Sequence, residues 1–236
     1  MSSRRPLDPE WMDLPTFDEP QVVGTFRFIE IVNRWLGGSS TLISFFDRES
    51  RAPDSPWDAR RAYRILDAGC GSGDCALALA HWARRRGFRL HIDAVDSHPL
   101  TIDLARRNCA AFPEITCLRG DVFALERRYD YVLMSMFLHH FPDEEVPSVL
   151  DRLLARCRRK LVVNDLVRAP LHYAGTWLFT LLTSAVFRHD ARLSVRKGFA
   201  PDELERLLHD HGLHSFRLER HFFYRFLLIY AKEAAL

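Results

Sequence analysis

The sequence has almost no net charge and no cysteine arrangement suited to a metal or a disulfide framework. Its 33 basic and 31 acidic residues leave a formal charge of +2 over 236 residues, too little to imply a nucleic-acid partner. Two local runs, Arg84-Arg85-Arg86 and Arg158-Arg159-Lys160, read as solvated charge on helix ends or linkers. The five cysteines, at 70, 75, 109, 117 and 157, are odd in number and show no C-x-x-C spacing. Zinc modules and disulfide scaffolds are thereby disfavoured, and no metal is expected. No secretory pattern is seen at Met1 to Pro6, so a reducing, cytoplasmic setting is the expectation. The segment 171–187 runs for 17 residues without a charge and is interrupted by His172, Gly175 and three threonines. It falls short of a transmembrane segment. It reads as one or two helices, with weak contact to a membrane surface as a minor alternative.

What is present is ordinary globular composition, 47% hydrophobic and 27% charged, in a chain long enough for one sizeable core. One stretch organises it: Arg64-Ile65-Leu66-Asp67-Ala68-Gly69-Cys70-Gly71-Ser72-Gly73-Asp74, followed by the helical pattern Cys75 to Ala80. This predicts a strand, a glycine turn and a helix whose first N–H groups and positive dipole end face the turn. The spacing is G-x-G-x-G, not the G-x-G-x-x-G of dinucleotide folds, and no Lys-Ser/Thr follows as in a Walker loop. A nicotinamide oxidoreductase is disfavoured on that ground.

The segment Leu66 to Gly73 is similar to the first motif of class I S-adenosylmethionine-dependent methyltransferases. Two further matches lie downstream. Asp96 ends an apolar run 23 residues after Gly73, where a carboxylate can accept hydrogen bonds from a ribose diol. Gly120-Asp121-Val122 resembles the motif whose Asp and following N–H contact adenine. The resemblance implies S-adenosyl-L-methionine as cofactor, held by Asp67, Gly69, Cys70, Gly71, Gly73, Asp96, Ser97, Asp121, Val122 and Met136. The implied fold class is α/β, a Rossmann-like doubly wound seven-stranded mostly parallel sheet with an antiparallel C-terminal strand. An N-terminal helical cover and a helical cap insertion after strand five complete it.

Along the chain, residues 1 to about 18 read as a loose acidic, proline-containing surface segment. A helix is expected from Glu19 to Trp35, stopped by Gly37-Gly38, then a short one over Ser39 to Phe46 capped by Ser39 or Ser40. Strands are expected at Ile65–Asp67, Arg89–Val95, Ile115–Leu118, Tyr129–Met136 and Lys160–Leu166. Helices are expected at Asp74–Arg86, Pro99–Ala111, from Asp143 to Arg156, and from Ala200 to His211. Ser215–Phe222 and Tyr224–Ala231 read as a closing hairpin. The organisation expected is 1–60 as N-terminal segment and cover, and 61–236 as the methyltransferase domain with a cap insertion at about 167–198.

Methyl transfer is an in-line displacement at a sulfonium, so positioning supplies most of the catalysis. A phenolic acceptor, of pKa near ~10, also needs a base near neutrality. Among 11 histidines, His140 and His139 at the end of strand four and His189 on the cap are the candidates, with His172 nearby. Adjacent residues on a helix diverge, so Asp190 is expected to orient His189 only indirectly. Arg168, His172, Tyr173, Trp177 and Arg192 are the candidate acceptor contacts, with Arg188 beside them. Ser135-Met136-Phe137-Leu138 stands where Asn-Pro-Pro-Tyr would mark adenine or glutamine N-methylation, which disfavours those acceptors. The pattern resembles ubiquinone-type and polyketide-tailoring enzymes of secondary metabolism, and implies a small hydrophobic, aromatic or polyketide-like acceptor. O-methylation is favoured; C-methylation of a quinol or phenol ring or a lipid-like acceptor is the runner-up. A catalytically silent donor-binding partner subunit is the alternative of another class. The expected form is a monomer or homodimer without nucleic acid.

Overall fold

The computed structural model describes residues 4–14, 24–26, 28–29 and 37–231. The strands are β1 (Ala62–Ala68), β2 (Arg89–Asp96), β3 (Ile115–Arg119), β4 (Tyr129–Ser135), β5 (Cys157–Leu166), β6 (Phe216–His221) and β7 (Arg225–Ala231). They form one sheet in the order β3-β2-β1-β4-β5-β7-β6, with β1 to β5 parallel and β7 antiparallel to both its neighbours. The strand order reverses between β1 and β4, which pair directly through Ile65–Ala68 and Tyr131–Met134. In such a sheet the crevice opens beyond the carboxyl ends of those two strands.

Among the described residues the sheet is accompanied by the helices α1 (Gly38–Arg51), α2 (Asp74–Arg86), α3 (Pro99–Cys109), α4 (Val146–Arg156), α5 (Pro170–Phe179), α6 (Ala185–Lys197) and α7 (Pro201–Asp210). Helix α2 stops at Gly87, whose φ of 74° lets the chain turn away, and Arg84, Arg85 and Arg86 face its negative dipole end. Two apolar clusters sandwich the sheet. One gathers Phe46, Trp57 and Trp82 from the α1 and α2 side around Tyr63 and Tyr131. The other joins Leu150 and Leu153 of α4 and Leu204 and Leu208 of α7 to Val132, Val163 and Phe226. β4 is buried from Tyr129 to Met134, as its apolar run requires between two covered faces.

Three local expectations are corrected. The short helix expected from Ser39 is not capped by Ser39 or Ser40: Gly37, at φ 86°, is the N-cap of α1, and both serines lie inside its first turn. The burial of Leu42, Phe45 and Phe46 against the sheet carries α1 on to Arg51. Arg158-Arg159-Lys160 lies within β5, not on a linker, because β5 starts at Cys157 and pairs with Tyr129. Its charges are met by neighbours, Lys160 by Glu49 at 2.6 Å and Arg159 by Asp130 at 3.6 Å. The N-terminal segment is also anchored rather than loose. Buried Arg5 donates to Asp143 (2.6 Å) and to the carbonyls of Phe141 (2.7 Å) and Lys197 (2.8 Å), and lies 3.8 Å above the ring of Phe199. Most of the helix expected from Glu19 to Trp35 lies outside the described residues; 24–26 and 28–29 are helical.

Candidate active site

Three successive features of the chain build one cavity of about 570 Å³ beyond the ends of β1 and β4. The first is the glycine turn. Gly69 and Cys70 donate to the carbonyl of Val95, which pins the turn to β2 (2.9 and 3.1 Å). Gly69 has φ 69°, and a Cβ there would sit 2.5 Å from the Phe137 ring, so no other residue fits. Gly73, at φ 84°, likewise packs on Cys109, where an added Cβ would meet Sγ at 2.9 Å.

The second is the end of β2. Asp96 accepts from Gly71 N–H (3.0 Å) and His98 N–H (2.9 Å), so its carboxylate ties the turn to the start of α3. Burial pushes its pKa up. Asp67 lies fully buried beneath the turn, pushed up to about 7 by burial and then by the charges of Asp74 and Asp96. Its Oδ2 has no hydrogen-bond partner among the described residues. A turn that gathers three carboxylates, one incompletely satisfied, fits a ligand bearing positive charge.

The third lies at the ends of β4 and β5. Met136 takes φ 56°, an uncommon conformation for a side chain of its size, as the chain leaves β4. A single 3₁₀ turn, Leu138–His140, then presents two histidines. His139 is buried; its Nδ1 lies 2.7 Å from Asp165 Oδ1, and its backbone N–H donates to Asp165 Oδ2 (3.1 Å). Its Nε2 faces Glu10 at 3.5 Å. Burial opposes charge on His139, but Asp165 and Glu10 outweigh it and raise its pKa to about 9. Glu10 is lowered to about 2 in spite of burial, by His139, His140 and Ser194, whose Oγ donates to it at 2.7 Å. His140 is pushed down to about 4, by burial first and then by the charge on His139. At neutral pH the cluster therefore holds one imidazolium between two carboxylates and one neutral imidazole. The ligand atoms of Glu10, His139 and His140 lie within 4.8 Å of one another, close enough to hold a cation. The imidazolium of His139 already supplies a positive charge there.

The cavity brings together Gly69, Cys70, Gly71, Asp96, Ser97, Met136, His139, His140 and His172. His172 is held by its Nδ1 on the carbonyl of Val167 (2.8 Å) and stacks on Tyr224 at 4.8 Å. Phe179, Phe187, Val195 and Phe223 supply an apolar wall, and Phe26 and Ile29 reach the cavity from the N-terminal side. Asp67 and Gly73 support the turn from behind. Asp121 and Val122 do not line the cavity: the Asp121 carboxylate is exposed and caps a short turn by accepting from Phe123 N–H (2.8 Å).

Six expected residues lie elsewhere. His189 stacks on Trp11 at 4.0 Å and hydrogen-bonds to Asp190 at 2.8 Å, so the two neighbours do meet directly, contrary to expectation. With Tyr173, Arg188 and Arg192 it lines a separate pocket of about 340 Å³. Asp190 draws in the N-terminal segment by accepting from Trp11 and Met12 N–H (2.8 and 2.9 Å), which turns His189 away from the cavity. Trp177 is exposed beneath the guanidinium of Arg192, which donates to Thr180 Oγ1 and to the carbonyl of Trp177 (3.0 Å each). Arg168 is paired with Glu203, joining the end of β5 to α7. Sequence reasoning missed Glu10 and Ser194 at the site. Asp165 had a visible signal, a carboxylate ending an aliphatic strand.

Residues 65–160 match the family model described as a methyltransferase domain. No curated protein sequence matches the chain. Among solved structures, the plantazolicin methyltransferase BamL, in complex with a triazolic analogue and SAH, is similar with a TM-score of 0.64 at 16% identity, over 87% of this chain and 74% of that one. Magnesium protoporphyrin IX methyltransferase from Synechocystis, with bound SAH, gives 0.58 at 16%, over 86% and 84%. An O-methyltransferase family protein from Burkholderia thailandensis gives 0.59 at 18%, over 90% of this chain and 60% of that one. At these identities the likeness is one of fold.

Proposed function

Since the chain carries a class I S-adenosylmethionine-dependent methyltransferase domain, we propose that it methylates a small hydrophobic, aromatic or polyketide-like acceptor, on oxygen in preference to carbon. One observation carries this reading: a single cavity joins the glycine turn and Asp96 to His140 and an apolar wall. The donor's sulfonium and ammonium charges suit the carboxylate-rich turn, and Asp96 would accept hydrogen bonds from its ribose. The donor supplies an electrophilic methyl group; the chain aligns acceptor and donor and excludes water.

His140 is the proton acceptor in this proposal. Its imidazole stands neutral at the cavity wall and can accept a hydrogen bond from a phenol, whereas His139 is already protonated between Asp165 and Glu10; at about 4 it is a weak base, which a phenolate forming beside it would strengthen. His139 thus acts as a positioning residue that lowers the affinity of His140 for protons. A carbon acceptor, or a lipid-like one, would use the same wall with less need of a base. On this reading residues 61–236 form the catalytic domain, 167–198 its cap, and 1–60 a cover that contributes Glu10. Five free cysteines accord with a reducing, cytoplasmic setting.

The test is mass spectrometry of products from a panel of phenols, quinols and phenolic lipids incubated with the donor. A mass gain of one methyl on oxygen supports the reading. Tight donor binding with no product from any acceptor or extract would instead favour a silent partner subunit.

A further inference from the structure

The apolar end of the cavity continues onto the surface. Helix α5 has no buried residue, and Leu171, Trp177, Leu178, Phe179, Leu181 and Leu182 stand exposed on it and on the turn after it, Leu182 completely. The β6–β7 turn adds Phe222, 90% exposed, and Phe223. There Phe223 and Tyr224 take φ of 58° and 55°, positions that tight hairpins usually give to Asn, Asp or Gly. Two bulky rings held in that conformation mark a turn kept for its side chains. The stacking of His172 on Tyr224 brings helix and turn to one face. Phe179 and Phe223 both line the cavity, so the apolar face rims its mouth.

Beside this face runs a basic collar. Arg188, Arg192 and Arg196 recur one helical turn apart on α6. Arg188 donates to the carbonyl of Leu181 (3.1 Å), and the Arg192 guanidinium lies 5.1 Å above the Trp177 ring. No acidic residue occurs from 168 to 189. Asp190, the first to follow, is buried against Trp11 and Met12. Apolar and aromatic side chains bounded by arginine, on a stretch of chain that carries no acid, match the boundary between acyl chains and anionic headgroups. No helix among the described residues is long and apolar enough to cross a membrane, so the contact is one of lying on the surface. A two-fold pairing of this face with a second copy would set each arginine collar near its equivalent, at a cost in like-charge repulsion.

We propose that this face docks on an anionic lipid bilayer, with α5 and the β6–β7 turn at the headgroup boundary, the arginines on phosphates and the cavity mouth turned toward the lipid. The proposal deepens the reading of an apolar acceptor, but docking is measured without turnover.

The test is flotation of the full chain with vesicles of phosphatidylcholine alone or mixed with phosphatidylglycerol. Capture by the mixed vesicles is expected, at least ~10-fold weaker on phosphatidylcholine alone and weakened by salt. Leu182→Asp with Phe222→Asp should reduce capture by about tenfold or more, and Arg188→Gln with Arg196→Gln should remove the preference for anionic lipid. Both side chains of the first pair are exposed and outside the cavity, so melting temperature and donor affinity should hold. No capture above background, or capture unaffected by the paired aspartates, overturns the proposal. So does a dimer in sedimentation that those aspartates dissociate, since the face then serves a second copy. Donor affinity on the same samples separates this failure from failure of the methyltransferase reading.

Discussion

The two ends of the cavity are built by different means. The donor end is local: Gly69, Cys70, Gly71, Asp96 and Ser97 come from two neighbouring parallel strands and the turns that leave them. Main-chain hydrogen bonds and positive φ values set its shape, so few side chains could vary without closing it. The acceptor end is assembled from far apart. His139 of the β4 end, Asp165 of β5, Ser194 of α6 and Glu10 of the N-terminal segment meet there, and Arg5 clamps that segment over distances of 134 to 192 residues. A site made this way holds its donor by backbone and tunes its acceptor by borrowed charge.

The sharpest way to break the comparison is to fill the donor end. A Cβ at Gly71 would meet only Phe26 Cε1, at an ordinary 3.5 Å, so Gly71→Arg should fold at a cost of about 1–2 kcal/mol for its φ of 54° and lower donor affinity by ~10³-fold or more, read by calorimetry. Full donor binding by this variant would remove the glycine turn from the site. At the other end, Arg5→Ala should cost about 3 kcal/mol of stability in denaturant unfolding, near the low end for breaking a buried pair because Asp143 is 39% exposed. It should lower turnover more than donor affinity, since Glu10 loses its anchor. A smaller effect falls on His140→Ala: turnover lower by ~10²-fold with donor affinity unchanged. Unchanged turnover would withdraw the base assignment.

Titration divides the two ends as well. Asp67 titrates near 7 in the free protein, and a cationic donor favours its ionised form. Donor affinity should therefore be full above about pH 7 and fall, by at most ~10-fold per unit, as pH drops below it. Turnover should fall as His140 protonates near pH 4, with no second fall from that cause when His139 loses its proton near pH 9, since His140 is neutral there with or without the neighbouring charge. The smallest expected effect is that of metal removal. Dialysis against a chelator should leave turnover unchanged, the Glu10–His139–His140 cluster being held by a proton; stoichiometric metal in elemental analysis would reverse that assignment.

The sheet and the glycine turn were legible because their signals are short-range, whereas Asp121 and Val122, read from a motif alone, lie off the cavity. Aliphatic strands, an aspartate closing β2 and glycines at alternate positions each act within a few residues. The acceptor end was legible only in part. His139 and His140 follow a buried strand, so their place was readable, but which was charged depended on Glu10, whose segment reads as loose acidic surface. His189 was misplaced because Trp11 and Met12 take up Asp190, a contact across 178 and 179 residues that no local pattern announces. The place of the β6–β7 turn was readable, but Phe222-Phe223-Tyr224 carries no Gly or Asn to signal the positive φ of Phe223 and Tyr224. Arg168 was assigned to the acceptor for its charge, but Glu203, 35 residues on, holds it.

The most direct measurement is a crystal structure with the demethylated donor product bound. The account predicts its ribose on Asp96, its chain along Gly69 to Gly71, and its sulfur facing the His140 side of the 570 Å³ cavity. Density in the 340 Å³ pocket beside His189 and Arg192, or an empty glycine turn at saturating ligand, would contradict it.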